Sequence, residues 1–306
     1  MKNKFKIIMI SAMYENGGNT IQRHLDGHTQ LFSYPFESQV GNKGISDYLS
    51  TFVPHKYRWP QFQLGDSIEQ IYESIWDEEV KIRVKTPHMS KFKEADIKLK
   101  DSERKDIFKK LLDKKEITRR NIIESFFTAT NLAWKNYNRS GKESIYVGYN
   151  PVQILDADKI IEDFPDGIIL HIVRNPYSAY AETKHRPAPL GLKRYIDTWS
   201  VVQLFALNAQ ATYPKNVVIV RFEDLISNPE RFFRSLSKKL GIRFEKSMLY
   251  PSWNGVKLEN MYPWGTIQLP TIAYNQEKMN ELSKEEHKAI KRLTSIINEK
   301  FDYQAL

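Results

Sequence analysis

The stretch "KFKIIMISAMYENGGNTIQRHLDGH", residues 4–28, runs from an apolar segment into a glycine pair and then into a helix-forming segment. "FKIIMI" (5–10) reads as a buried strand, because its apolar positions follow one another without a polar alternation. In an open α/β sheet, ligands sit at the carboxyl ends of the strands. A glycine-rich turn at that place presents successive backbone N–H groups, and the helix after it adds the positive end of its dipole. Asn16, Gly17, Gly18, Asn19 and Thr20 are therefore candidates for a phosphate cradle, with Asn19 and Thr20 adding side-chain donors. A plain glycine turn explains the same residues equally well. The pattern G-x-x-x-x-G-K-[ST] is absent, so ATP or GTP hydrolysis is not expected.

Outward from this stretch, further strands are expected at "VKIRVK" (80–85), "SIYVGY" (144–149), "GIILHIV" (167–173) and "NVVIVRF" (216–222). Helical patterns lie between them. Residues 119–137 place Ile123, Phe126, Phe127, Thr130 and Trp134 on one stripe. Residues 228–242 carry Asn228 as N-cap, Pro229 at the first helical position and Gly241 past the end. Residues 283–301 open with a Ser283/Glu286 capping box and line up Ala289, Ile290, Leu293, Ile296 and Ile297. Strands alternating with helices imply a doubly wound parallel sheet flanked by helices, of the α/β class. The chain reads as one domain, 1–306, with a charged helical cap insertion at about 91–140. The turn-rich segment 254–271 is long enough to suggest function.

The composition is that of a globular protein, 41% hydrophobic and 27% charged, with no apolar run of membrane-spanning length. The basic start with its short apolar stretch reads as a first strand rather than a signal peptide. There is no cysteine. That excludes disulfides, thiolate metal sites and cysteine nucleophiles, and with it goes the expectation of a reducing, cytoplasmic setting. The net charge of +9 favours anionic ligands. Lysines are dispersed and no nucleic-acid-binding signature is present, so no nucleic-acid partner is expected.

Three downstream segments give the glycine turn its context. They are "LDGHTQLFSYPFES" (25–38), "YVGYNPVQILDADKIIEDFPDGIILHIVRNPYSAYAETK" (146–184) and "VVIVRFEDLISNPERFFRSLSKKLGI" (217–242). In order and wording, from about residue 5 to 270, the chain resembles sulfotransferases that use 3′-phosphoadenosine 5′-phosphosulfate (PAPS), in particular bacterial, carbohydrate- and tyrosine-acting members. The resemblance implies a P-loop-like fold that binds PAPS as co-substrate without a metal. It places Asn16 to Thr20 at the 5′-phosphosulfate and Arg174 at the 3′-phosphate, where a guanidinium fork suits a phosphate.

The chain departs from the family at three places. The basic residue that precedes the family's loop is Glu15 here, and the Ser eight residues after the arginine is Glu182, with Ser178 and Thr183 as nearby substitutes. Asn150 stands where many bacterial members have a Lys-Thr-Pro segment.

Sulfuryl transfer needs a base for the acceptor hydroxyl and donors for the leaving oxygen. Glu37 is the first candidate base and His88, in "KTPHMS", the second, with Lys85 as an extra cation. Trp264, Gly265 and Thr266 fall where family members fold a loop over the nucleotide. The expected acceptor is a hydroxyl-bearing glycan or other small metabolite. A nucleotide-binding relative without catalysis is the alternative.

Overall fold

The computed structural model describes residues 5–63, 65–259 and 271–303. The chain runs β1 (Lys6–Ala12), α1 (Gly18–Leu25), β2 (Leu31–Ser33), α2 (Ile68–Ser74), α3 (Glu78–Lys85), α4 (Asp101–Leu112), α5 (Arg119–Ala133), β3 (Ile145–Tyr149) and α6 (Ala157–Asp163). It continues through β4 (Ile168–Val173), α7 (Pro176–Thr183), α8 (Leu192–Thr212), β5 (Val217–Arg221), α9 (Phe222–Ser227), α10 (Pro229–Leu240), the short pair β6 (Ser252–Trp253) and β7 (Val256–Lys257), α11 (Ile272–Met279) and α12 (Lys284–Lys300).

Five parallel strands form the central sheet in the order β2-β3-β1-β4-β5. Its central strand sorts its side chains by parity. Ile7 and Met9 enter the core shared with α5, α7, α8 and α12, while Ile8, Ile10 and Ala12 enter a second core with α1 and α10. Both faces are thus covered, which is why β1, β4 and β5 read as continuous apolar runs. β1 lies between β3 and β4, and the chain leaves it first toward β2 and later toward β5. The carboxyl end of β1 is therefore the switch point at which such sheets bind ligands.

Most of the expected elements form, with their punctuation. The stripe on α5 is fully buried. Asn228 accepts the Arg231 N–H at 3.0 Å, Gly241 closes α10 at φ 67°, and both bonds of the Ser283/Glu286 box are made.

Two expectations need correction. "VKIRVK" (80–85) is helical, not a strand: it belongs to α3, with Glu78 and Glu79 in the first turn and Arg83 and Lys85 in the last, as the helix dipole favours. Val80 is buried but Val84 is 59% exposed, so the alternation does not sort the apolar residues onto one face. The sheet edge is instead β2, only three residues long and too short to show a period in sequence. On α12 the buried face is Ile290, Thr294, Ile297 and Asn298, with Leu293 and Ile296 outside. Thr294 and Asn298 tolerate burial because the Thr294 hydroxyl donates to the Ile290 carbonyl and the Asn298 amide donates to the Thr294 hydroxyl, each at 2.8 Å.

The polypeptide between β2 and β3 holds α2 to α5. Its core residues Phe92, Phe108, Phe126 and Phe127 are continuous with the sheet core.

His24 and His171 are buried. The Nδ1 of His24 lies 2.9 Å from the Met248 carbonyl, and the Nε2 of His171 lies 2.9 Å from the Gln203 amide oxygen. Burial holds both imidazoles down at about 4. An unfolded histidine titrates near 6.5, so the unfolded chain takes up protons that the folded chain refuses. Stability is then full above about pH 6.5 and falls as the pH drops toward 4. At pH 5 the loss is about 2 kcal/mol per histidine. Urea unfolding at pH 7.5 and pH 5 should show a lower midpoint at pH 5. His171→Gln should narrow the gap, and an unchanged gap would exclude this origin.

Candidate active site

The turn from β1 to α1 is held by its own residues. Glu15 takes a left-handed conformation (φ 60°), the Asn16 N–H donates to the Met13 carbonyl at 3.0 Å, and Gly17 follows at φ 89°. The Asn16 side chain is fully buried. Its amide donates to the Tyr14 carbonyl (2.8 Å) and the Tyr195 hydroxyl (3.2 Å), and its oxygen accepts the Arg174 N–H (3.0 Å). A Cβ on Gly17 would come within 2.3 Å of the Phe222 ring, and one on Gly18 within 2.4 Å of the Tyr149 ring. Both glycines therefore allow close packing of α1 against the strand ends, a reason the sequence did not reveal. No side chain caps α1. The N–H groups of Gly18, Asn19 and Thr20 have no protein acceptor among the described residues, which leaves the positive end of the helix open to an anion.

Arg174, one residue past β4, is 5% exposed and lies beside this turn. One terminal nitrogen donates to the Glu15 carbonyl at 2.9 Å and the other to the Asn275 side-chain oxygen at 2.6 Å, with the Glu182 carboxylate 3.7 Å away. The guanidinium also stacks on the Phe222 ring, 5.1 Å from its centroid. Its Nε and the Asn275 amide nitrogen are buried without acceptors among the described residues. Two unpaired donors, one on the arginine and one on its hydrogen-bond partner Asn275, suit an acceptor that the described residues do not supply.

Glu37 follows β2 and is half-buried. The Gln39 amide donates to it at 2.9 Å. It faces Tyr14, Tyr57 and Tyr149, and its charge adds to the burial that raises all three phenols; that of Tyr14 reaches about 12. Since the Tyr149 ring rests on Gly18, Glu37 belongs to the surroundings of the turn.

The other sequence candidates are placed differently. His88 is exposed on a short turn past the C-terminus of α3 and makes no hydrogen bond or ion pair among the described residues. The opposite end of α3 touches Gln39, through the Glu78 N–H, so some 10 Å of helix separates His88 from the Glu37 side. Lys85 is exposed near the same distal end. Ser178 and Thr183 are buried on α7, where their hydroxyls donate to the Asn175 and Ala179 carbonyls. Asn150 is buried, its amide donating to the Gln153 side-chain oxygen. Trp264, Gly265 and Thr266 lie outside the described residues.

Three residues join the site without a signal in the sequence. Arg186, just beyond α7, sits 3.6 Å from the Glu15 carboxylate and stacks on Tyr14 at 5.3 Å. Lys56 stacks on Tyr57, whose ring meets Tyr14 edge-on at 5.9 Å. Asn275 arrives from α11, about a hundred residues after Arg174. Burial raises the pKa of Glu15, Arg186 and Arg174 oppose the rise, and Glu182 adds to it.

Because Asn16 fills three buried bonds, Asn16→Ala should cost about 2–4 kcal/mol of unfolding free energy. The half-exposed Asn19→Ala should shift stability by less than about 0.5 kcal/mol. Equal melting temperatures for the two variants would contradict the pinning role of Asn16.

No protein of curated function matches the sequence closely. Among solved structures, a sulfotransferase domain from the curacin biosynthetic pathway aligns over 100% of both chains, with a TM-score of 0.58 and 14% identity. A Mycobacterium avium sulfotransferase aligns over 97% of this chain and 77% of its own, with a TM-score of 0.45 and 10% identity. The first of these is a likeness of fold. The model of the sulfotransferase family matches residues 55–246, which include β3, β4, Arg174 and β5, and on that match the chain belongs to the sulfotransferase family.

Proposed function

We propose that this protein transfers a sulfuryl group from PAPS to a hydroxyl of a glycan or other metabolite and releases 3′,5′-ADP. The observation that carries the reading is one constellation: a helix N-terminus at the switch point that no described side chain caps, tied through Asn16 to an arginine whose Nε has no acceptor among the described residues. The N–H groups of Gly18, Asn19 and Thr20 suit the 5′-phosphosulfate. The Nε of Arg174 and the amide of Asn275 suit the 3′-phosphate. Glu37 takes the acceptor proton as the new S–O bond forms. The first turn of α1 and Arg186 face the charge that develops on the 5′-phosphate oxygen as the old S–O bond breaks. Glu37 fits the role of base better than His88, because it shares the tyrosine wall of the turn and His88 does not.

Calorimetry with 3′,5′-ADP should give a Kd of about 1–10 μM for the wild type, weakened about a hundredfold by Arg174→Ala. Glu37→Gln should keep that affinity and lose roughly 10²–10⁴-fold in turnover. Absence of nucleotide binding in the wild type would refute the reading.

A second reading, nucleotide binding without turnover, draws on Glu15 and Glu182, two carboxylates close to Arg174. It predicts intact 3′,5′-ADP binding with no transfer to any acceptor. On either reading Glu182 opposes a 3′-phosphate. Glu182→Ser should tighten 3′,5′-ADP by roughly tenfold and leave 5′-AMP within about twofold. Equal gains for both nucleotides would place Glu182 away from the 3′ position.

A further inference from the structure

A cavity lies away from the turn. It measures about 680 Å³ and sits in the segment between β2 and β3, walled by Asn42, Lys43, Gln61, Trp76, Ile82 and Lys85, with Glu78 at one border. The size is that of a small-molecule site. Two chains of contact join it to the candidate active site. The Gln39 amide donates to Glu37 while its oxygen accepts the Glu78 N–H at 3.2 Å. Lys56 pairs with the Glu78 carboxylate at 2.7 Å and stacks on Tyr57, which packs on Tyr14 of the turn. The cavity therefore begins where the neighbours of Glu37 end.

The wall has a definite chemistry. The Trp76 ring, half-buried, and Ile82 give it an apolar side, and the indole N–H has no partner among the described residues. The wall carboxylates Glu73 and Glu78 are already held by Lys105 and Lys56. Asp66 accepts the Gln63 N–H. Lys81 spends its ammonium on the Glu73 and Ile75 carbonyls. Lys43 and Lys85 are exposed and have no ion-pair partner among the described residues. The Asn42 oxygen is taken by the Gly44 and Gln61 N–H groups, which leaves the Asn42 amide as a donor, and the Gln61 side chain has no hydrogen-bond partner among the described residues. An aromatic face, amide donors and surplus cations together recognise a hydroxylated ring that bears an anionic group.

We propose that this cavity is the acceptor site, and that the acceptor is a hydroxylated ring compound carrying a carboxylate or similar anion. The ring packs on Trp76 and the anion meets Lys43 and Lys85. This rests on the sulfotransferase reading for the word acceptor, but the binding claim stands on the cavity alone.

Ligand-observed NMR on the full chain tests it with two pairs of probes: methyl β-glucuronide against methyl β-glucoside, and 4-hydroxybenzoate against 4-hydroxybenzamide. In at least one pair the anionic member should bind about tenfold tighter than the neutral one, and the pair that responds shows whether the ring is a sugar or an arene. In the double variant Lys43→Ala/Lys85→Ala the preference should fall below about threefold, with 3′,5′-ADP affinity unchanged. Both lysines are exposed, so the variant keeps the fold, as its circular dichroism spectrum should show. Trp76→Leu should weaken both members of the responsive pair. No binding of any probe, equal binding within each pair, or a preference that survives the double substitution would overturn the proposal. Failure of the sulfotransferase reading shows separately, as a wild type that does not bind 3′,5′-ADP.

Discussion

The side-chain amide of Asn16 is the contact on which the geometry of the site depends. Its oxygen fixes the backbone of Arg174 at the end of β4, and its nitrogen fixes the carbonyl of Tyr14 and the hydroxyl of Tyr195 on α8. The Tyr195 hydroxyl donates in turn to the Tyr14 carbonyl, and the Trp199 indole donates to the Arg174 carbonyl. Asn16, Tyr195 and Trp199 are buried, so each bond their side chains lose strands a polar atom. The separation between the open end of α1 and the Arg174 guanidinium is therefore set before any ligand arrives. A ligand that spans both poles meets a preorganised frame and need not order one.

A second set of buried contacts holds the chain between β2 and β3 against the sheet. Arg58 is fully buried and forks onto Asp156 with two bonds of 2.7 Å and onto Asp47 with bonds of 2.8 and 2.9 Å. Asp156, which follows β3, also accepts the Trp59 N–H. Arg104 binds Asp77, Asp101, Tyr72 and Tyr34 in the same manner beneath α3. Removing such charges from water costs several kcal/mol each, and the pairing offsets that cost only when every lone pair is used. What these networks supply is orientation. Asp77 precedes α3 directly, so α3 and the Glu78 end of the cavity are tied to α4 and through α5 to the sheet.

Reading the sequence succeeded where one local rule was sufficient. Buried parallel strands are continuous apolar runs, and α10 and α12 carry their caps in their own sequence. It failed where the decisive partner was distant. Residues 80–85 alternate as a strand does, but a strand needs a neighbour, and the free edge of β3 was taken by Leu31–Ser33. Leu293 and Ile296 fit the apolar stripe of α12, yet Thr294 and Asn298 are the buried pair, the Thr294 hydroxyl donating to the Ile290 carbonyl and accepting from the Asn298 amide. The glycine turn was visible, but the need for Gly17 and Gly18 arises from Phe222 and Tyr149, each more than a hundred residues away. Asn275 and Arg186 could not have been found, since nothing near them in sequence marks their approach to Arg174 and Glu15.

Glu15 shows how the turn tolerates an acidic residue where the family resemblance leads one to expect a basic one. Its left-handed backbone directs the carbonyl to Arg174, while its carboxylate pairs with Arg186. One residue thus gathers two guanidinium groups, one through its backbone and one through its charge. Half of that arrangement is independent of ionisation, because a carbonyl accepts from Arg174 whether or not the carboxyl is protonated. The other half is electrostatic and partly open to solvent, so salt screens Arg186 more than Arg174. The charge seen by an anion at the end of α1 therefore has a fixed component from Arg174 and the helix dipole, and an adjustable one from Arg186. A loop lysine would have supplied only a single point charge on a flexible stem. The residue that seems to empty the site of charge in the sequence holds, in the folded protein, one arginine by its backbone carbonyl and a second by its carboxylate.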